Sequence, residues 1–323
     1  MSASVLWRGC VEDVSLFKHG IEFACIVLLK DARCGENGYI GLMFEKYIQK
    51  GDTDMFRQMV EVFGSDALEK REGWGNPMTA LSYACRCGQI GIVKICLEKG
   101  ARVNCRDDRN ETPLIKAVQG RKSNILRLLV DHNADLSMGN DQGSPLLHAA
   151  AYGHISIVNT LLEIGANILD TDSHGRNALH IASSEERGDI VLLLLSSGVS
   201  ITCQDNRGYT PLHTAVSAGS FNVVSLMLDR KDAPLEICDK MGNTPLGITI
   251  CNDNPDEFYH DTAQPIMRRM IEDAIVQRGA MLALAMSQHP RIGNQSHLSR
   301  LDEGVIKMIA DQMRGANKPA MWR

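Results

Sequence analysis

The chain has 323 residues, of which 44% are hydrophobic and 23% are charged, a composition typical of a soluble globular or repeat protein. The longest apolar stretch near its start, residues 23–29, is too short to span a bilayer, and the first residues lack the basic-then-apolar layout of a secretory signal. Without export, the ten cysteines are expected to be reduced in the cytoplasm or the nucleus, and the net charge of −5 disfavours a nucleic-acid-binding protein.

The first predicted elements precede the regular part of the chain. Residues 1–37 are assigned to an N-terminal extension, and residues 38–64 show the pattern of two helices interrupted at Gly51 and Asp52. A terminal repeat needs one polar face, because nothing stacks on its outer side. We therefore predict a degenerate N-terminal capping repeat over residues 38–74.

A helix-start signal then recurs six times, at intervals of 32 to 34 residues. The first residue is Thr, Ser or Asn, whose side-chain oxygen can accept a hydrogen bond from an amide of the first helical turn. Proline follows it in four of the six copies, which suits the first position of a helix. The six starts are Thr79, Thr112, Ser144, Asn177, Thr210 and Thr244. Positions within a repeat are counted from these residues, which are position 0.

A second helix is predicted in each of the first five repeats. Positions 13, 14, 17 and 18 are apolar there and form one stripe on a helix. Position 21 is Gly in three repeats and Asn133 in a fourth, and both residue types suit a left-handed helix end. Asn133 is therefore predicted to have a positive φ. The fifth repeat has Lys231 at this position, and its greater length predicts a different turn.

The sixth repeat is interrupted. Its turn glycine is expected at position 21, but the next glycine that fits is Gly279, so about fourteen residues are inserted, over 252–265. We predict a surface loop there, in which Phe258 and Tyr259 either fold back onto the body or anchor a partner. Residues 281–323 are predicted to form a C-terminal helical cap or a docking segment.

The stretch GYTPLHTAVSAG at residues 208–219, with five further copies in the same register, resembles ankyrin repeats. The resemblance covers residues 75–280 and implies an all-α ankyrin-repeat solenoid of six helix–turn–helix units joined by hairpin loops. It also implies that a histidine at position 3 ties neighbouring loops together by hydrogen bonds. That histidine is kept as His180 and His213, and its place is taken elsewhere by Ser82, Ile115, Leu147 and Gly247.

The resemblance further implies a non-enzymatic protein-interaction module or adaptor. Such repeats bind protein partners through the hairpin tips and the concave face of the first helices, to which positions 4 and 7 contribute. The candidate partner-binding residues are Tyr83, Arg86, Lys116, Gln119, His148, Arg176, Arg207, Tyr209, Phe258 and Tyr259.

Two other functions fit the same sequence. The chain could be the substrate-recognition adaptor of a ubiquitin ligase that docks through residues 281–323, or the regulatory subunit of an enzyme. In every case we expect an intracellular monomer, cytoplasmic or nuclear, without a membrane span or a nucleic-acid partner.

Motifs for catalysis, cofactor binding or metal binding are missing from the sequence. There is no Gly-rich phosphate loop and no His-Glu-x-x-His, and no Cys-x-x-Cys accompanies Cys85 and Cys87. The histidines His154, His180 and His213 fall at structural positions of the repeat. No catalytic, cofactor-binding or metal-ligating residue is therefore predicted.

Overall fold

The computed structural model describes residues 37–69, 78–251 and 263–287. In these ranges the regular elements are helices, with one isolated bridge between Asn140 and Gly143. The chain divides into two compact units between Ser173 and His174.

The first unit contains four helix pairs. Their first helices, α1, α3, α5 and α7, lie side by side, and so do their second helices, α2, α4, α6 and α8. A short 3-10 helix, Ser65–Glu69, follows α2. The helices are α1 (Asn37–Lys50), α2 (Thr53–Phe63), α3 (Ala80–Cys87), α4 (Ile90–Glu98), α5 (Pro113–Gln119), α6 (Ser123–Asp131), α7 (Pro145–Tyr152) and α8 (Ile155–Glu163).

The second unit contains three helix pairs with the same arrangement. Helix α9 packs on α11 and α11 packs on α13, while α10 packs on α12 and α12 packs on α14. The helices are α9 (Ala178–Ser184), α10 (Gly188–Ser196), α11 (Pro211–Ala218), α12 (Phe221–Leu228), α13 (Pro245–Cys251) and α14 (Ala263–Ser287). The prediction of an all-α fold built from stacked helix pairs is confirmed in each unit.

The predicted helix starts and ends follow from local chemistry. The side chains of Thr79, Thr112, Asn177 and Thr210 each accept a hydrogen bond from the amide three residues later. Ser144 differs, because its hydroxyl is buried and makes no such bond. The positive φ predicted for Asn133 is confirmed at 63°, beside glycines with φ between 84° and 94° at the same position.

The apolar stripe of the second helices is a large part of the core of each unit, together with apolar residues of the first helices. Positions 13, 14 and 17 are buried in all five regular repeats, and Leu161 and Leu194 have no exposed surface. Position 18 is half-buried in four of them, so the stripe is one residue narrower than predicted. A helix pair alone would expose this stripe to water, and the neighbouring pairs cover it.

The sixth repeat departs from its predicted form. Helix α14 continues through Gly279 to Ser287, so the turn predicted at this glycine is wrong. The helix-forming residues on both sides outweigh the cost of about 1 kcal/mol for one glycine inside a helix. Arg278 also fixes the helix just before Gly279, because its guanidinium donates to the carbonyls of Ala233 and Arg230 at 2.7 and 2.8 Å.

Those two carbonyls belong to the turn in which Lys231 replaces the usual glycine. The side chain of Arg278 thus donates hydrogen bonds to the turn that the sequence predicted to differ from those of the other repeats.

The predicted insertion overlaps α14 from residue 263, and its residues 252–262, with Phe258 and Tyr259, lie outside the described residues. So do the N-terminal extension up to residue 36 and the C-terminal residues 288–323.

Candidate partner-binding surface

The hairpin tips are shaped by one side chain each, placed four or five residues before the helix start. The carboxylate oxygens of Asp205 and Asp239 each accept two backbone amides, from residues two and four positions later, at 2.8 Å. Asp107 does the same at 2.9 Å, and Asn140 accepts one amide at 2.9 Å. The tip backbone is therefore held from inside, and the side chains between these amides are left to face outward.

The second unit connects its hairpins through the histidine at position 3. His180 Nε2 lies 2.9 Å from the carbonyl oxygen of Tyr209, and His213 Nε2 lies 3.1 Å from that of Asn243. The other ring nitrogen of His213 accepts the amide of Thr210 at 3.1 Å. The hydrogen bonds to neighbouring loops that the family resemblance implied are therefore present at both histidines.

The first unit has a buried ion-pair cluster in place of such a histidine. Lys116, at position 4 of α5, is 2% exposed, and its ammonium lies 2.7 Å from a carboxylate oxygen of Asp107 and in contact with Glu111. Gln119 donates to the other oxygen of Glu111 at 2.8 Å. Burial alone would raise the pKa of Asp107, but Lys116 and the backbone amides hold it below its ordinary value.

The next repeat of this unit uses a neutral polar contact. His148, at position 4 of α7, is buried, and its Nε2 lies 2.9 Å from Oδ1 of Asn140 in its own hairpin. Burial lowers the pKa of His148, although the nearby Glu111 opposes the shift. The ring of Tyr152 lies between the rings of His148 and His154, with centroids 6.0 and 5.6 Å away. The contact with Asn140 holds His148 against its own hairpin, whereas Tyr152 is exposed at the other end of α7.

Tyr83 and Arg86 form a smaller group on α3. The guanidinium of Arg86 lies over the ring of Tyr83, 5.1 Å from its centroid, and Arg86 itself is exposed. The hydroxyl of Tyr83 accepts from Gln49 at 2.6 Å, which links α3 to α1. Of the two, Arg86 presents its side chain to solvent, whereas Tyr83 is 8% exposed.

The predicted contact residues thus fall into separate groups. Lys116 and His148 are buried and bound to their own hairpins, and Tyr83 is buried and bound to Gln49, so the prediction of these three as direct partner contacts is corrected. Position 4 turns toward the hairpin at Lys116 and His148 because acceptors at the tip attract these side chains. Exposed or half-buried positions are found for Arg86, Gln119, Arg176, Arg207 and Tyr209, whereas Phe258 and Tyr259 lie outside the described residues.

Sequence reasoning missed the residues that shape the tips. Asp107 and Glu111 lie just before the helix start at Thr112, where an exposed hairpin tip is expected, yet both are buried and bind Lys116. The recurring Asp or Asn before each helix start was visible in the sequence and is typical of turns closed by a side-chain oxygen. The signal for the ion-pair cluster was the pair of acids five residues and one residue before Thr112, together with a lysine four residues after it.

Within the described ranges, no group of three or more potential ligands lies close enough to hold a metal ion. Burial raises the pKa of Cys85 and Cys96, which keeps both thiols protonated and poorly reactive. None of the helices in these ranges is both long enough and apolar enough to cross a lipid bilayer.

Comparison with known proteins places the repeat pattern in context. A family model for ankyrin repeats in three copies matches residues 44–140, 136–205 and 189–259. An L-asparaginase of Dirofilaria immitis is 34% identical over 108 residues, which are 33% of this chain and 18% of that protein. The B-cell lymphoma 3 protein homolog of Mus musculus is 34% identical over 129 residues, 39% of this chain and 28% of that protein.

A further relative covers more of both chains. Ankyrin repeat domain-containing protein 63 of Mus musculus is 28% identical over 152 residues, which are 45% of this chain and 39% of that protein. In each case the matched segment is well under half of the relative's length.

Proposed function

Since the repeat model matches more than half of its residues, the chain belongs to the ankyrin-repeat family, and we propose that it acts as an adaptor that binds a protein partner. Ankyrin repeats are in general protein–protein interaction modules. The observation that supports the proposal is the structure of the hairpin tips. Asp205 and Asp239 each hold the backbone of their tip, and the side chains at 206, 207, 240 and 241 are exposed. A preorganised backbone lowers the entropy lost on binding.

The proposal gives the chain no catalytic role of its own. The family is in general non-enzymatic, and the L-asparaginase relative shares 18% of its length with this chain. That share is too small to transfer the activity of the whole relative. We also propose that the chain acts as a monomer inside the cell, in the cytoplasm or the nucleus, which light scattering and imaging of the tagged chain would test.

Site-specific photo-crosslinking in cells tests the proposed surface. A photoreactive residue is placed at Arg109 or Asn206 on the tips, and at Asp131 or Ser197 at the ends of the second helices as matched exposed controls. We expect protein adducts, identified by mass spectrometry, from the tip positions and few from the controls. Equal adducts from all four positions, or none from the tips, would contradict the proposal.

A further inference from the structure

Three successive hairpin tips of the second unit form one continuous edge. The amide of Asn206 donates to the carbonyl of His174 at 2.9 Å, and the amide of Lys240 donates to that of Arg207 at 2.9 Å. We call residues 174–176, 206–209 and 240–243 the tip row. Because backbone hydrogen bonds join its members, side chains on neighbouring tips keep a fixed spacing and can act together on one ligand.

The outward charge of the tip row is positive. Arg207 and Lys240 are exposed, and Arg176 is half-buried. The carboxylates of the same turns, Asp205 and Asp239, are occupied with backbone amides on the inner side. Arg207 and Lys240 therefore face outward, while the carboxylates of their own turns bind the backbone.

In the described part of this unit, the exposed acids lie elsewhere in the repeats. Some follow the first or second helices, some lie on α10 or α14, and one lies in the connection before the third tip. They are Glu185, Glu186, Asp189, Asp229, Asp232, Glu236, Glu272 and Asp273. An approaching acidic ligand therefore meets the positive tips first.

Apolar surface adjoins these cations. Met241 is 86% exposed, next to Lys240. Tyr209 is half-buried, and its ring stacks on His213 with the centroids 5.6 Å apart. A flexible thioether and an aromatic ring beside two cations suit a ligand that carries both carboxylates and apolar side chains.

We propose that the tip row is the docking surface for an acidic, extended segment of a partner protein with apolar side chains between its carboxylates. The inference rests on the proposed adaptor function and specifies the chemistry of its partner. A nucleic acid fits less well, because tight binding uses about six to ten phosphate contacts and two exposed cations supply few. The tips of the first unit differ, since the exposed Arg109 there is adjacent to Asp108.

Fluorescence anisotropy with the full chain tests this inference. The probe is a short labelled peptide of alternating glutamate and leucine. Its controls are the same peptide with lysine for glutamate, the same peptide with serine for leucine, and a single-stranded oligonucleotide. We expect the glutamate–leucine peptide to bind most tightly and its affinity to fall as salt is added.

Charge reversal on the protein provides the matched comparison. The variant Arg207→Glu with Lys240→Glu is expected to weaken peptide binding by roughly tenfold, about 1.4 kcal/mol. The control variant Arg109→Glu with Lys231→Glu has the same change in net charge away from the tip row and is expected to keep the affinity. Equal loss in both variants, or tighter binding of the lysine peptide or of the oligonucleotide, would overturn the inference.

The outcome also separates this inference from the proposed function. If tip positions crosslink a cellular protein but the acidic peptide does not bind, the adaptor function stands and the acidic-segment inference fails. If neither crosslinks nor peptide binding are seen, both fail.

Discussion

The two units use the start of the first helix differently. In the second unit, His180 and His213 at position 3 reach across to the carbonyl of the following hairpin. In the first unit, position 3 carries no histidine, and Lys116 and His148 at position 4 turn back to their own hairpin. Contact with the following hairpin is made there by Arg106, which donates to the carbonyl of Gly139 at 2.7 Å.

The difference shows that one repeat frame accepts two kinds of polar connection. A neutral histidine between backbone groups costs little to bury, because its ring nitrogens find partners in the main chain. A buried lysine with two carboxylates depends on all of its members, because losing one leaves an unpaired charge away from water. The first unit is therefore expected to be more sensitive to single substitutions at its tips than the second.

The largest expected effect is at the ion-pair cluster. Lys116→Met should lower the free energy of unfolding by about 3–5 kcal/mol, because Asp107 and Glu111 stay buried without their cation. Equilibrium denaturation in urea measures the loss. Adding Asp107→Asn and Glu111→Gln removes both charges and should recover a large part of it. A loss below about 1 kcal/mol for Lys116→Met would mean that the two units do not differ as described.

Matched core substitutions sharpen the comparison between the units. Leu161→Ala and Leu194→Ala remove a fully buried leucine at position 17 in the first and second unit. Each should cost about 2–5 kcal/mol, because the cavity adds to the lost burial of apolar surface. Equilibrium denaturation of both variants checks this. Similar losses would mean that a difference in stability between the units comes from the polar connections. Losses under about half a kcal/mol at both sites would contradict the repeat register.

The helical repeats could be predicted from the sequence because their signals are local and recur. Helix starts such as Thr79 and Thr210, and the left-handed end at Asn133, depend on residues within one turn. The end of α14 could not be predicted in this way. A glycine can end a helix or lie inside one, and the local sequence does not distinguish the two. At Gly279 the helix continues, and the contact of Arg278 with a turn far away in the sequence helps to hold it.

The candidate surface was less predictable than the fold. Lys116 and His148 occupy the positions expected on the concave face, but acceptors on the hairpin draw them inward. Whether a long polar side chain points outward depends on partners brought near by folding. The exposed Arg207 was predicted as a contact from its place in a hairpin tip and its residue type, whereas its position beside Lys240 depends on the hydrogen bond that joins the two hairpin backbones.

The histidine connection of the second unit should respond to pH. Burial lowers the pKa of His213, although Asn243 and the nearby Asp239 and Asp205 oppose the shift. The unfolded chain then binds a proton near pH 6.5 that the folded chain does not. Stability should fall as the pH drops below about 6.5, down to the lower folded pKa.

His213→Gln tests this response. It should cost about 1–3 kcal/mol at neutral pH, because buried bonds to Thr210 and Asn243 are lost or weakened. The loss of stability between neutral and mildly acidic pH should be smaller in this variant than in the natural chain, as thermal melts across that range would show. An unchanged pH profile would contradict a role for His213. The lowered pKa of His148 has the same sign, so part of the slope should remain.

The smallest expected effect is at Asn133 in the first unit. Its φ of 63° is tolerated by Asn and disfavoured for a β-branched residue. Asn133→Val should cost about 1–2 kcal/mol, whereas Asn133→Gly should be neutral or slightly stabilising. Melting temperatures of the two variants, compared with that of the natural chain, decide the point. A valine variant that melts at the natural temperature would place the helix end elsewhere.

The turn-closing carboxylates have a consequence for how such a protein can diversify. Asp205 binds main-chain amides of its tip, so the loop can keep its shape with different residues at 206 and 207, proline excepted because it has no amide to donate. Gly208 is the exception, since its φ is 83° and an added Cβ would lie 2.8 Å from the amide nitrogen of Lys240. Mutation, or a combinatorial library, can therefore change the exposed side chains of a tip, and with them the ligand it binds, without changing its backbone conformation, provided that the aspartate and the glycine are kept.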